Sequence, residues 1–505
     1  MRYYSKHFFV VLPESIFFLC SVLIGWHVAY TYGDEAAIVN PKQGIFYEQY
    51  FSVYLGNIKC GCGRFQSERQ GNNIITRSKM ILKLGRDNFK FQCEVFTKTV
   101  ETITGRPIRY KSEVSLGNFK SEYDCRFTNS ELIVKITQNG QSSIRKFPVP
   151  DVKLSWASHL ETLKYLSKYG TKFVLNTYDP QINLSKPAML ECFVAGHAEI
   201  KVAGKKISGT KIISRIRGLP VNASVAIVDA KNNPLYTEIS IGTFKVIMIA
   251  TNKREAISDL TTKEIFSQSL IELSKPLKFN GSCLKLKIVS SDSSSLAPLP
   301  ETSMQKVIAK GDDWQILKIC SGEPKSKTNR VLKTVDRKYL ADSSYLNLKD
   351  LLLIKLANQA SGTSKSAYAV ARKLCLFVHG YITKKDLSSV FDNASHIART
   401  RTGDCSEHSV LLASLARIKG IPSRVVTGLA YAPKIGKFGA FGYHMWVQVW
   451  LDGRWVDLDP TFGQVHPDPA HIAISFSDLS DGSLTIDNAK LAEYMGRIRI
   501  EVVDD

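Results

Sequence analysis

Cys405, His444 and Asp459 are the residues of this chain whose types and spacing suit nucleophilic chemistry. A thiol becomes a nucleophile when a base takes its proton and a third group orients that base. Cys405 lies in RTGDCSEHS, residues 401–409. Asp404 is an N-cap residue, Glu407 three positions on completes a capping box, and Gly420 and Pro422 close the helix so begun. Cys405 is thereby expected at the first helical position, where exposed backbone N–H groups and the helix dipole favour a thiolate. The neighbouring Asp404 charge acts in the opposite direction.

The stretch HMWVQVWLDGRWVDLDPTFG, residues 444–463, supplies the base and its orienting group. Asp452-Gly453 is a preferred pair for a two-residue hairpin turn. With that turn Leu451 faces Arg454, and continuing the register sets Trp446 opposite Asp459. His444 then becomes a diagonal neighbour of Asp459, at roughly 7–8 Å, within reach of an imidazole–carboxylate contact. The chemistry implied is acyl transfer. Asp459 holds the His444 tautomer, His444 takes the thiol proton, and Cys405 attacks a carbonyl. The Cys405 backbone N–H is a natural oxyanion donor, and Tyr381 is a candidate second donor. Such a site needs no metal or organic cofactor. Asp457 lies on the same strand face and is the rival to Asp459.

GDCSEHS, GIPSRVVTGLAY, HMWVQVW and WVDLDPTFG together resemble the transglutaminase-like superfamily, in particular its exported bacterial members, over about residues 363–475. The resemblance implies a papain-like α+β core with Cys405, His444 and Asp459 as catalytic triad. It favours Asp459 over Asp457, because the family's aspartate directly precedes Pro-Thr. The family includes enzymes that join glutamine acyl groups to lysine amines, and also proteases, amidases and inactive members, so hydrolysis and amine transfer both stay open.

Other residues in the region have plainer readings. Glu407 and His408 serve capping and packing, and Cys375 with His379 forms an i, i+4 pair in an apolar run, expected to be buried core. Trp446, Trp450 and Trp455 are expected to wall the cleft. APKIGKFGAFGY, residues 432–443, is either a lip over it or a surface loop.

The elements that must position these groups are legible in the patterning. NLKDLLLIKLANQA and SAYAVARKLCLFVHGYI read as helices ahead of the Cys405 helix, and SRVVTGLAYA, YHMWVQVWL and RWVDLD read as strands after it, an α+β order. Upstream, short alternating runs separated by Gly, Asn and Asp read as antiparallel β-rich domains. SWASHLETLKYLSKYG is a helix with a Ser cap. The expected division is 44–188 and 189–335 for two β-rich regions and 346–505 for the catalytic domain.

Charge and cysteine usage bound the setting. The net charge is +21, yet from Ala367 onward 15 Lys and Arg balance 15 Asp and Glu, so the excess is wholly upstream. That suits contact with an anionic envelope or membrane surface. No helix-turn-helix, zinc-finger spacing or aromatic-basic signature supports nucleic-acid binding. Residues 1–33 read as a signal peptide or N-terminal membrane anchor, with Arg2 and Lys6 before an apolar run from about Ile16 to Ala29. An exported enzyme acting on a protein or peptide is the first expectation. An envelope binding or assembly protein with a vestigial catalytic domain is the second.

Overall fold

Alternation of apolar and polar residues builds most of the first half of the chain. In Glu131–Gln138, ELIVKITQ, every second side chain is buried, as a strand with one face on a core requires. The computed structural model describes residues 40–503, except 87–88, 118, 219–222, 242–243, 265–269, 278–281, 322–334, 385–391, 481–489, 492–493 and 495. The leader expected over residues 1–33 lies outside the described residues. Among the described residues no helix is long and apolar enough to cross a membrane. The chain divides between Glu264 and Ile265 into two compact units.

The first unit holds a 15-stranded sheet, two antiparallel meanders with the short strand Lys263–Glu264 added parallel to Asn73–Arg86. One spans Gly44 to Pro148 and the other Lys172 to Thr251, and they join where Gly44–Leu55 pairs with Phe244–Thr251. The boundary expected between 188 and 189 therefore falls inside one sheet. Pro180 and Pro187 flank a turn into the strand Ala188–Val202. The helix between the meanders is Ser155–Leu163, shorter than its sequence pattern suggested, and Ser155 is not its cap. Buried Glu101, from a neighbouring strand, accepts the Trp156 and Ala157 N–H groups at 2.6 and 2.9 Å. Burial pushes that carboxyl up to about 8.

The second unit is α+β. Its helices are α1 (Leu351–Ser361), α2 (Ala367–Tyr381), α3 (Ala394–Thr400) and α4 (Cys405–Ile418), each opened by a side-chain cap from Asp350, Ser366, Asn393 or Asp404. A five-stranded sheet follows, with β1 (Ser423–Ala432), β2 (Ala440–Leu451), β3 (Arg454–Leu458) and β4 (His471–Ser477). β1 lies between β2 and β4. The other edge of β2 is shared by β3, at 447–451, and by residues 271–272, at 440–441. Nearly every side chain of α4 is buried, and the helix packs its core against α1, α2 and β2.

The strands Cys283–Ser290, Gln305–Lys310 and Trp314–Cys320 belong to this unit, in a four-stranded sheet with Ile498–Val502. They lie in this unit, although the sequence pattern groups them with the upstream β region of residues 189–335. Gln305 ties that sheet to β4 through the backbone N–H and C=O of Ala473. Cys283 and Cys320 lie opposite one another on paired strands and form a disulfide.

Candidate active site

The hairpin adopts the register that its turn predicts. Leu451 pairs with Arg454, Val449 with Val456 and Val447 with Leu458, around Asp452 and Gly453 at φ 50° and 79°. Positive φ at both central residues is the type I′ geometry that matches strand twist. β3 stops at Leu458, so Asp459 begins a turn closed by its own backbone bridge to Gln464. His444 Nε2–H donates to Asp459 Oδ2 at 2.7 Å. Asp459 Oδ1 accepts the Thr461 and Phe462 N–H groups at 2.8 and 3.0 Å. His444 first and then His471 outweigh the burial penalty and hold this carboxyl far below the usual carboxylate range.

The same register brings α4 to the site. In a two-residue hairpin the residues flanking the turn exchange hydrogen bonds, and every second pair beyond them does likewise. On β2 these are 451, 449 and 447, so the N–H and C=O of Met445 point to the same edge. Among the described residues no strand pairs with that edge between 442 and 446, and α4 takes the place. Ser409 Oγ donates to Met445 O at 3.1 Å, and the Met445 N–H bonds the Cys405 thiol. Cys405 thus stands beside the residue that follows His444. Gly428, opposite His444 on β1, has no room for a Cβ, which would lie 2.0 Å from Ile472 O and 2.9 Å from the Trp446 ring.

The start of α4 forms as its sequence indicates. Asp404 accepts the Ser406 N–H at 3.1 Å and Glu407 accepts the Asp404 N–H at 2.9 Å. Gly403, at φ 153°, leaves the space into which Glu407 folds. Burial and the Asp404 charge push the Glu407 carboxyl well above its usual range, so it holds its proton. The expected stabilisation of a Cys405 thiolate is not what the surroundings produce. Cys405 is 2% exposed. Burial, and then the Asp404 charge, push its thiol far up, and the Met445 N–H opposes them only in part. The resting group is a thiol, because one helix start cannot compensate for lost water.

The remaining sequence candidates separate clearly. Asp457 is buried and accepts from Trp446, Gln448 and Ser303, so it ties strands together rather than facing His444. Tyr381 gives its hydroxyl to Ala398 O at 2.7 Å, which removes it as a second oxyanion donor. Cys375 is buried, whereas His379 is exposed and binds the Pro460 and Thr461 carbonyls through Nδ1, bracing the turn after Asp459. Trp446 adjoins His444, but Trp450 and Trp455 meet edge to face at the far end of the hairpin. The 432–443 loop is tied down, since Leu273 N–H donates to Gly439 O and Tyr431 to Phe438 O.

Two neighbours of the site escaped the sequence reading. Phe462 lies face to face on the His444 ring, centroids 4.5 Å apart. His471 donates from Nε2 to Asp459 Oδ2 at 3.1 Å. HIAISFS, after Asp468-Pro469, has the apolar run of a strand, and that run was the available signal. His444, Asp459 and His471 are the set among the described residues whose donor atoms lie close enough to share a metal ion. At 2.7 and 3.1 Å the two contacts to Asp459 have the lengths of N–H···O hydrogen bonds.

Residues 354–460 match the transglutaminase-like superfamily. No curated protein sequence matches the chain. Among solved structures, a candidate cysteine protease from Cytophaga hutchinsonii is similar at 15% identity and TM-score 0.33, over 45% of this chain and 94% of that one. A β-barrel-like protein of a domain of unknown function from Brucella abortus is similar at 12% and TM-score 0.30, over 42% and 96%. A candidate protease from Parabacteroides distasonis follows at 12% and TM-score 0.17, over 69% and 63%.

Proposed function

From a chain that carries a transglutaminase-like domain at residues 354–460, we propose a thiol enzyme that acts on an amide or peptide carbonyl through Cys405, His444 and Asp459. The observation that carries this reading is the 2.7 Å bond from His444 to Asp459, on the strand whose next residue touches the Cys405 sulfur. Asp459 engages Nε2, so Nδ1 is the nitrogen that receives the thiol proton. The thiolate then adds to the carbonyl carbon, and the Cys405 N–H, at the first turn of α4, faces the developing oxyanion. Collapse expels the amine, which takes the proton back from His444 and leaves a thioester on Cys405. Water or a second amine, deprotonated by His444, attacks that thioester, and the departing sulfur regains a proton. Burial keeps the resting group a thiol, and His444 takes its proton when an electrophile, substrate carbonyl or alkylating reagent, reaches the sulfur.

The same reading sets the chain outside the cytoplasm, supported by the basic, apolar N-terminus and the Cys283–Cys320 disulfide. Its upstream basic residues would meet an anionic envelope surface, an association that high salt should release. The burial of Cys405 favours a second reading, an envelope binding or assembly protein whose catalytic domain is vestigial.

Labelling separates the two. Iodoacetamide at neutral pH, followed by peptide mapping, should modify Cys405 ahead of the other cysteines. His444→Ala should abolish that preference, and Asp459→Asn should slow it by up to about 10³–10⁴-fold, as when a triad imidazole loses its orienting carboxylate. A Cys405 that labels no faster than the other thiols, with or without His444, points to the vestigial domain. A glutamine peptide with a fluorescent amine, assayed also for released ammonia, then distinguishes transfer from hydrolysis.

A further inference from the structure

The carboxylate that orients His444 is itself held by a second histidine. His471 opens β4, beyond the residues that match the family, and its side chain is 2% exposed. Its Nε2 lies 3.1 Å from Asp459 Oδ2. Its Nδ1 lies 3.1 Å from both Oδ1 and the backbone O of Asp468. Every one of these partners is an acceptor. A neutral imidazole has a single N–H, so satisfying both nitrogens requires both to carry protons.

The two carboxylates are fixed as anions by their remaining bonds. Asp459 Oδ1 takes the Thr461 and Phe462 N–H groups. Asp468 takes the Ala470 N–H on Oδ1 and the Gln464 amide on Oδ2, at 3.0 Å each. Gln464 is also the backbone partner of Asp459, so the turn from 459 to 468 closes on itself around His471.

We propose that His471 is a positioning residue, a buried imidazolium clamped between Asp468 and Asp459 that fixes the Asp459 oxygen against His444 and offsets part of its charge. The role rests on the reading of Cys405, His444 and Asp459 as a catalytic set. Burial opposes the charge on His471, but Asp468 and the bonds to both carboxylates overcome it and raise the group from 6.5 to about 10. Its ring centroid is 5.8 Å from that of His444.

The charges around the Cys405–His444 pair come from several elements. Asp404 and Glu407 act on Cys405 from α4, with Glu407 holding its proton. Asp459 acts on both Cys405 and His444 from the turn, and Asp457 and Asp468 interact with His471 itself. In this otherwise acidic surrounding His471 is a fixed cation. Removing it raises the proton affinity of every nearby group, so Cys405 reaches its reactive form only at higher pH.

The test is the pH dependence of Cys405 alkylation by iodoacetamide in the full chain. His471→Gln, which keeps one hydrogen-bond donor and loses the charge, should move the midpoint upward by about 1–2 pH units, the scale of a unit charge one ring away at an effective dielectric of about 20. A slower rate with an unmoved midpoint would mean a neutral packing role and overturns the clamp. If the variant does not fold, nitrogen NMR of the unmodified protein with labelled histidine decides. Both His471 ring nitrogens should be protonated and should not titrate between pH 6 and 8, and a bare nitrogen there overturns the proposal. Alkylation that is indifferent to His444→Ala would remove the catalytic reading, and with it the role of His471, whatever its protonation.

Discussion

A buried histidine keeps its charge only where carboxylates replace the water it has lost, and His471 has one on each nitrogen. That arrangement carries a signed consequence for stability. Its folded value, about 10, exceeds its ordinary 6.5. The stabilisation is therefore complete below about pH 6.5, where the unfolded chain is also protonated, and is lost as pH rises through about 10. Denaturant unfolding of the native chain and of His471→Gln should differ most at pH 6, with the gap narrowing at pH 8 and closing towards pH 10. A gap that widens with pH would mean that the ring is buried neutral. Glu407 is the complementary case, a carboxyl that burial and the Asp404 charge push towards its protonated form while the N–H groups it accepts from Asp404 and Asp392 favour its anion.

Among the elements, β2 does most to assemble the site. One edge pairs with β1 from 440 to 449, while among the described residues the other is paired only at its two ends. The interval at 442–446 lets a helix start approach strand backbone, an approach that a third strand would block. Gly428 keeps the opposite edge close, because its missing Cβ is replaced by Ile472 O and the tip of Trp446. Gly428→Ala should force β1 and β4 apart and cost about 1–3 kcal/mol, the usual penalty of overpacking. The measurement is the urea midpoint at unchanged slope. An unaltered midpoint would show that β4 yields without loss, and that the close approach is incidental. The helix Ser155–Leu163 teaches the same lesson elsewhere. Its terminal N–H groups are met by Glu101, which lies 54 residues upstream of Ser155.

At the scale of the whole molecule, two units of different architecture share the chain, and the disulfide lies in the one that holds the site. Cys283 and Cys320 are 37 residues apart, so the bridge closes a long loop of the unfolded chain. On the loop-entropy account its removal costs about 4 kcal/mol. Reduction, or the pair Cys283→Ser with Cys320→Ser, should lower the unfolding midpoint accordingly. The bond also reports on location, because cytoplasmic thiols are kept reduced. Mass mapping of cells quenched with a thiol-blocking reagent should find Cys283 linked to Cys320. Recovery of both as free thiols would reject export.

The sequence by itself determined the local parts of the site. Asp404 and Glu407 encode a helix start at Cys405, and Asp452-Gly453 encodes a register that sets His444 beside Asp459, since caps and two-residue turns depend on a few adjacent residues. The strand texture of residues 44–251 was likewise legible from alternation. What only the tertiary structure decided is which distant groups meet. Two meanders close into one sheet, the 283–320 strands join the unit that holds the candidate site, and His471 and Phe462 reach His444 and Asp459 through a turn and a strand pairing with no local signature. The state of Cys405 belongs to the same class. A helix start is written in neighbouring residues, but burial is the sum of everything packed around the sulfur, and that sum sets its proton affinity.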